Sequence, residues 1–235
     1  MNLLWDGLGQ AIKLIFSGDS VVYAAAWRSL WISSGAVLFA AIIGVPLGTW
    51  LAERRTVTRR IILAVARAGI NLPTVLIGLI CYALFFSQGP LGFLGLLFTP
   101  WLILVGEFLL ALPIVTSLTH AAVGGLDPRV GETATTLGAT RLRRQVTYLS
   151  EARTGIVLAM VTAFARCVTE LGVAVLVGGN LSRQTRTLAT ATAMETGKGE
   201  FARGIAMGGM LLVISLFVAL LISFLSREEL GRSTA

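Results

Sequence analysis

The sequence has few charged residues, and this scarcity decides the broad class of the protein. Asp, Glu, Lys and Arg make up 13% of its 235 residues, whereas 55% are hydrophobic. A soluble domain would carry about a quarter charged residues. The apolar residues instead form blocks of about 20 residues, which are long enough to cross a bilayer core as helices. We therefore predict an all-α membrane protein in contact with lipid, because lipid offers no hydrogen-bond partners to an open backbone.

Cysteine and histidine are also scarce, which argues against a disulfide framework and against a metal site. The sequence has 2 cysteines and 1 histidine. Cys81 and Cys167 fall inside apolar blocks, and we interpret both as small core residues. His120 has no cysteine or histidine at ligand spacing, which argues against zinc. We therefore predict no metal ligands.

The excess of positive charge follows the pattern of a multi-span membrane protein. The net charge is +7, and it needs no nucleic acid partner, because arginine accumulates in cytoplasmic loops. Two segments concentrate the arginines, residues 53–60 and residues 124–153. The positive-inside rule places both in the cytoplasm. It also predicts an N-terminus outside the cell membrane and a C-terminus, beyond Arg227, in the cytoplasm.

The apolar blocks predict about five transmembrane helices in a single domain of residues 1–235. They are expected at about residues 29–52, 61–86, 100–123, 156–177 and 204–225. Residues 1–20 have mixed polarity, with apolar side chains at roughly helical spacing. This pattern predicts an N-terminal interfacial helix that lies along the membrane surface.

Two predicted spans contain polar residues that are expensive in a membrane. Asn71 stands beside Leu72 and Pro73 in the second span, which predicts a kink facing other helices or a cavity. Arg166 and Glu170, four residues apart in the fourth span, are expected to pair on one helix face. Such charges are candidates for the translocation path. A structural pair that fixes helix packing explains them equally well.

The polar segment 124–153 lies between two long apolar blocks and organises the rest of the chain. At its centre, Glu132 is followed by Ala134, Leu137 and Gly138, and arginines follow from Arg141 onward. This spacing predicts an amphipathic helical turn that ends or bends at the glycine. A solvated helix between two spans would show the same pattern.

The same residues resemble the EAA loop of ABC-importer membrane subunits. Glu132, Ala134 and Gly138 match that pattern, while Thr133 replaces its first alanine, and the later I-x-L-P element of the family is absent. The resemblance implies the transmembrane domain of a type I ABC importer. It also implies a cytoplasmic coupling helix that docks on an ATPase, with Leu137 and Arg141 among its residues.

Further segments resemble the permeases of oxyanion importers for molybdate, sulfate and, most closely, tungstate. They are residues 44–48 (GVPLG), 72–78 (LPTVLIG), 89–92 (GPLG), 97–100 (LFTP), 166–172 (RCVTELG), 178–180 (GGN), 185–188 (TRTL) and 195–201 (ETGKGEF). The resemblance implies a tungstate permease, with molybdate or sulfate as the alternative solute.

The resemblance also implies partners. A second copy of the chain, two ATP-binding-cassette ATPases and an extracytoplasmic oxyanion-binding protein would complete the importer. The sequence has no G-x-x-x-x-G-K-[ST] phosphate loop. ATP and Mg would therefore be held by the ATPase, no cofactor by this chain, and this chain would not be an enzyme.

Residues 178–203 are predicted to lie outside, although they carry four Lys and Arg residues against two acids. External cations would attract an anionic solute. A tetrahedral dianion is held by hydroxyls, backbone N–H groups and arginine. We therefore expect the external mouth of the path at Asn180, Thr185, Arg186 and Thr187.

Two hypotheses from other classes of protein compete with the permease hypothesis. A membrane enzyme would use Arg166, Glu170 and His120, but the sequence offers no nucleophile–base pair and no metal-ligand spacing. A stand-alone secondary carrier or channel would use the pair Arg166 and Glu170 as its ion site. That reading leaves the loop around Glu132 unexplained, and no inverted repeat is visible.

Overall fold

The computed structural model describes residues 12–13, 16–53 and 56–233, with side chains through residue 220 and at residue 224. Within these ranges the chain is helical and contains no β-strand. A 3₁₀ turn covers Gly92–Leu94. The α-helices are α1 (Ser20–Glu53), α2 (Val57–Gly69), α3 (Thr74–Phe85), α4 (Pro100–Gly124), α5 (Pro128–Thr136), α6 (Arg141–Glu151), α7 (Arg153–Val168), α8 (Gly172–Gly178), α9 (Leu188–Gly197) and α10 (Phe201–Ser233).

The helices confirm the predicted pattern of spans. Among the described residues, α1, α4 and the segment Phe201–Leu220 of α10 are each long and apolar enough to cross a membrane. Two further spans are helix pairs with a sharp bend: 101° between α2 and α3, and 58° between α7 and α8. Counting each bent pair as one span gives five, the number that the sequence predicts.

The first span begins earlier than predicted. Helix α1 starts at Ser20, well before the expected residue 29, because Asp19 caps its N-terminus. One carboxylate oxygen of Asp19 accepts hydrogen bonds from the N–H groups of Val21 and Val22 at 2.9 and 3.1 Å. The predicted interfacial helix of residues 1–20 lies, for the most part, outside the described residues.

Proline accounts for the break in the second span. The chain leaves α2 after Gly69 and enters α3 at Thr74, with Pro73 in extended backbone at the helix start. Proline has no N–H to continue the ladder, and it disfavours helix at the preceding residue. The predicted kink is thus a complete interruption of the helix.

The chain divides into two compact units, and each unit is made of segments that are not contiguous in sequence. The first contains the chain up to Ala36 together with Pro73–Glu107 and Ala165–Val218. The second contains Val37–Leu72, Phe108–Phe164 and the chain from Ala219.

The first unit has a compact apolar core between α1, α9 and α10. The buried members are Val22, Ala25, Ala26, Leu188, Ala191 and Met207. Small residues let these helices approach closely, which is how helices pack in a membrane, where the hydrophobic effect gives little help. Helices α3 and α8 of the same unit meet in the same way at Gly78, whose Cβ would lie 3.2 Å from the Cα of Val173.

The second unit is built on close contact between α1 and α4. Gly48 has no side chain, so the backbone of α4 lies against it: an added Cβ would be 2.7 Å from the carbonyl oxygen of Thr116. Helix α1 continues without interruption through Pro46. The glycine-rich stretch of residues 44–48 therefore serves helix packing in this unit.

Candidate functional site

Residues 124–153 fold into a helical hairpin outside the spans. Its first helix, α5, begins with Pro128 at the first position and Asp127 as cap, whose side chain accepts a hydrogen bond from the N–H of Arg129 at 2.8 Å. Its second helix, α6, begins after Thr140, whose hydroxyl accepts from the N–H of Arg143 at 3.4 Å. We call α5, α6 and their connection the hairpin.

The turn of the hairpin depends on Gly138. Its φ is +73°, in the left-handed region that residues with a Cβ rarely adopt. The N–H of Gly138 donates to the carbonyl oxygen of Thr135 at 3.0 Å, and that of Ala139 donates to Ala134 at 2.9 Å. These bonds satisfy carbonyls at the end of α5. The predicted end of the helical turn at this glycine is thus observed.

The predicted coupling residues all lie on this hairpin. Glu132 and Ala134 belong to α5, Leu137 caps its C-terminus, and Arg141 begins α6. The side chain of Leu137 is 82% exposed. The role of these residues in coupling stays a prediction.

Two surface grooves run along the hairpin, and three of the five predicted coupling residues line them. One, of about 630 Å³, is lined by Ala134, Leu137 and Arg143 together with neighbouring side chains. The other, of about 590 Å³, is lined by Glu132, Arg144 and others. The hairpin therefore has two distinct grooves on its surface.

An ion pair that the sequence did not reveal fastens the hairpin to α1. The Nε of Arg144 on α6 lies 3.0 Å from Oε1 of Glu53, the last residue of α1. The hydrogen bond to Glu53 and its negative charge raise the pKa of the Arg144 guanidinium. Nothing in the sequence marks these two residues as neighbours, because they are far apart in the chain and each belongs to a cluster of other charges.

His120 lies in a structural contact of the second unit. Its Nε2 is 2.8 Å from Nη2 of Arg59. A guanidinium has only donors, so the imidazole accepts this hydrogen bond. The contact joins the start of α2 to α4. His120 therefore has a structural role, which differs from the catalytic role that the membrane-enzyme hypothesis would give it.

Arg166 and Glu170 form the predicted ion pair, with 2.6 Å between Nη1 and Oε2. They do not share one helix, however, because α7 ends at Val168. The second carboxylate oxygen of Glu170 accepts from the N–H of Val173 at 3.2 Å, within the first turn of α8. The pair thus holds the bend of the fourth span, and its place in the translocation path stays a prediction.

Asn71 and Pro73 lie in the open segment between α2 and α3. Both are exposed in the single chain, although the N–H of Asn71 donates to the carbonyl of Ala68 at 3.1 Å. Within a membrane span, a polar side chain needs a cavity or a neighbouring helix. The place of Asn71 and Pro73 along a translocation path stays a prediction.

The predicted external mouth is not an open cluster of anion ligands. Thr185, Arg186 and Thr187 are buried, with 0%, 6% and 3% exposure. The hydroxyl of Thr185 donates to the carbonyl of Gly178 at 2.5 Å, and Thr187 forms a capping box with Thr190 at the start of α9. These side chains point inward because each has a partner within the polypeptide.

Arg186 and its neighbour Asn180 show the same inward arrangement. Nη1 of Arg186 lies 3.4 Å from Oε1 of Glu195, which also receives Nζ of Lys198 at 3.3 Å. The amide of Asn180 donates to the sulfur of Met194 at 2.9 Å. Arg28 on α1 donates to the carbonyl oxygen of Arg186 at 2.9 Å. A role for Arg186 in receiving a solute stays a prediction, because in this structure the side chain is buried and pairs with Glu195, which also holds Lys198.

Apolar spans interrupted by a basic helical hairpin define a multi-span membrane protein. Over residues 44–229 the sequence matches the family described as binding-protein-dependent transport system inner membrane component. The chain belongs to this family. It is an ABC importer permease subunit, as the resemblance implied.

The curated relatives cover almost the whole chain. A tungstate uptake system permease protein from Campylobacter jejuni is 37% identical, with 92% of this chain and 90% of the relative covered. A tungstate uptake system permease protein from Peptoclostridium acidaminophilum is 30% identical over 97% of this chain and 100% of the relative. The molybdenum transport system permease protein of Escherichia coli is 31% identical over 89% of this chain and 97% of the relative.

Solved structures agree on the fold. An inward-facing form of the MetNI methionine ABC transporter gives a TM-score of 0.72 at 16% identity, covering 89% of this chain and 96% of the other. An amino acid ABC transporter gives 0.63 at 15% identity, covering 91% and 96%. The predicted fold, a type I ABC importer transmembrane domain, is confirmed.

Proposed function

We propose that this chain forms the membrane path of an importer for tungstate, driven by ATP hydrolysis on a separate subunit. The observation that carries this proposal is the similarity, over nearly the whole chain, to two tungstate uptake permeases. Molybdate is the second candidate, because a molybdenum permease is similar over almost the same length. Both solutes are tetrahedral dianions, so the capture step on the binding protein would discriminate between them.

The proposed assembly has two copies of this chain, two ATPases in the cytoplasm and an oxyanion-binding protein outside. The family description, binding-protein-dependent transport, supports the outer partner. The arginine-rich segments support a cytoplasmic hairpin, an N-terminus outside and a C-terminus inside. In this arrangement the chain supplies the path and the ATPase supplies the energy.

The hairpin is the proposed docking element for the ATPase. It exposes apolar side chains outside the spans: Leu137 is 82% exposed, Leu142 72% and Val146 58%. Clustered apolar exposure outside the lipid region marks a protein interaction site. Closure of two ATPases would move the two hairpins, and the spans would rock between inward and outward openings.

The substrate is tested by rebuilding the importer in liposomes with its ATPase inside and its binding protein outside. We expect ATP-dependent uptake of tungstate, competition by molybdate at higher concentration and weaker competition by sulfate. Uptake of molybdate or sulfate with no uptake of tungstate would reject tungstate while retaining the permease. No ATP-dependent uptake of any of the three oxyanions would reject the proposed function.

Replacing Gly138 by leucine is expected to reduce uptake while the protein remains inserted. An added Cβ meets no atom within 4 Å, so the effect comes from the backbone: the left-handed conformation costs about 1–2 kcal/mol for a residue with a Cβ. The turn would shift and move Leu137 away from its docking position. Uptake and ATPase activity of the reconstituted complex measure this.

Asparagine at the same position is the matched control. Asparagine tolerates the left-handed region better than leucine does, so Gly138→Asn should retain most of the uptake. Equal uptake by the leucine variant and the wild type would count against the coupling role of the hairpin.

A further inference from the structure

The contact between Glu53 and Arg144 joins the hairpin to the end of α1, the first span. Glu53 is the final residue of α1, a continuous helix of 34 residues. Arg144 lies on α6 of the hairpin, 3.0 Å away. The side chains are 10% and 27% exposed, so solvent screens this pair less than a fully exposed one. A charged hydrogen bond is also directional and stronger than a neutral one.

Arg144 also contacts the other helix of the hairpin. Its Nη1 lies 3.5 Å from the hydroxyl of Thr135 on α5. Close by, Gly131 on α5 has no side chain and packs against the hydroxyl of Tyr148 on α6. The two helices are therefore fastened to each other at the point where one of them is fastened to α1.

We propose that the Glu53–Arg144 ion pair is a strut that passes displacement of the hairpin to the first span. This inference rests on the proposed function, in which an ATPase moves the hairpin. A helix of 34 residues is about 50 Å long at 1.5 Å per residue. Displacement of its Glu53 end is carried along that length, because α1 continues as a single helix through Pro46, where one backbone hydrogen bond is missing. Glu53 and Arg144 are thus positioning residues that contact neither solute nor nucleotide.

A charge swap tests the strut in the complete importer. Glu53→Arg and Arg144→Glu are each expected to lower tungstate uptake per ATP hydrolysed by about five- to tenfold, the range of a modest coupling energy. ATP hydrolysis should continue, because the groove that contains Leu137 is intact. The double variant Glu53→Arg/Arg144→Glu restores an attractive pair and should recover most of the uptake per ATP.

A mismatched double variant is the control. Glu53→Arg/Arg153→Glu has the same net charge as the matched double, but Arg153 is an exposed residue that lines neither groove of the hairpin. It should remain as impaired as Glu53→Arg alone. Recovery in the mismatched double would mean that overall charge, and not this contact, determines coupling, and it would overturn the proposal.

The remaining outcomes are also decisive. Normal uptake per ATP hydrolysed in both single variants would overturn the strut, and so would a matched double variant without recovery. In either case, uptake by the wild type would still support the permease. Absence of uptake by the wild type rejects the proposed function and the strut with it. Where a reversed charge prevents insertion, Glu53→Gln, Arg144→Gln and their double variant replace the swap. A strut predicts that the double loses no more coupling than either single, whereas additive losses overturn it.

Discussion

Replacement of Gly48 by leucine is expected to leave little folded protein in the membrane. An added Cβ would lie 2.7 Å from the carbonyl oxygen of Thr116, 2.9 Å from Cβ of Thr119 and 3.1 Å from the backbone nitrogen of His120. Two of these atoms belong to the backbone of α4 and cannot rotate away. The helices would have to separate, which costs more than the roughly 1–3 kcal/mol of ordinary overpacking.

The yield and melting temperature of detergent-purified protein measure this effect. Gly48→Ala should fall between the leucine variant and the wild type. Gly124→Leu is the matched control at the end of α4, because an added Cβ there has no neighbour within 4 Å. Normal yield and stability of Gly48→Leu would show that α1 and α4 do not pack as described.

The second large effect concerns the stability of a buried ion pair, in which replacing Glu195 is expected to destabilise the protein more than replacing Arg186. The side chains of Arg186 and Glu195 are 7% and 5% exposed. Glu195→Gln would leave Arg186 buried without its counter-charge, at a cost of about 3–5 kcal/mol. Arg186→Gln costs less, because Glu195 keeps Lys198 at 3.3 Å. The glutamate variant should therefore melt at the lower temperature.

The same variants decide between two roles for Arg186. If the residue holds the fold, uptake and stability fall together in Arg186→Gln. If it receives the anion, as its position in the sequence suggested, uptake falls while stability and assembly are retained. Arg183→Gln and Glu200→Gln, at exposed charges nearby, control for the changes in net charge of the arginine and the glutamate variant respectively. An arginine variant less stable than the glutamate variant would contradict the asymmetry.

Local features of the structure could be predicted from the sequence because their causes are local. Hydropathy predicts the spans, since lipid requires long apolar helices. The turn at Gly138 follows from the conformational freedom of glycine, and the interruption before Thr74 follows from Pro73. The early start of α1 also had a local signal that was missed, an aspartate immediately before the apolar run.

The long-range arrangement could not be predicted in the same way. Helical spacing pairs Arg166 with Glu170, but it does not show that the helix ends between them at Val168. The Glu53–Arg144 contact depends on how the hairpin folds back toward α1, and periodicity carries no information about this. The burial of Arg186 could not be predicted for a related reason: its partner Glu195 comes from the following helix.

The most direct test of the account is transport by the purified chain with and without an ATPase partner. Proteoliposomes that contain this chain alone should take up no tungstate, and addition of the ATPase and the binding protein should give uptake that depends on ATP. Uptake at a similar rate by the chain alone would contradict the central claim, because the solute would then cross without any subunit that hydrolyses ATP.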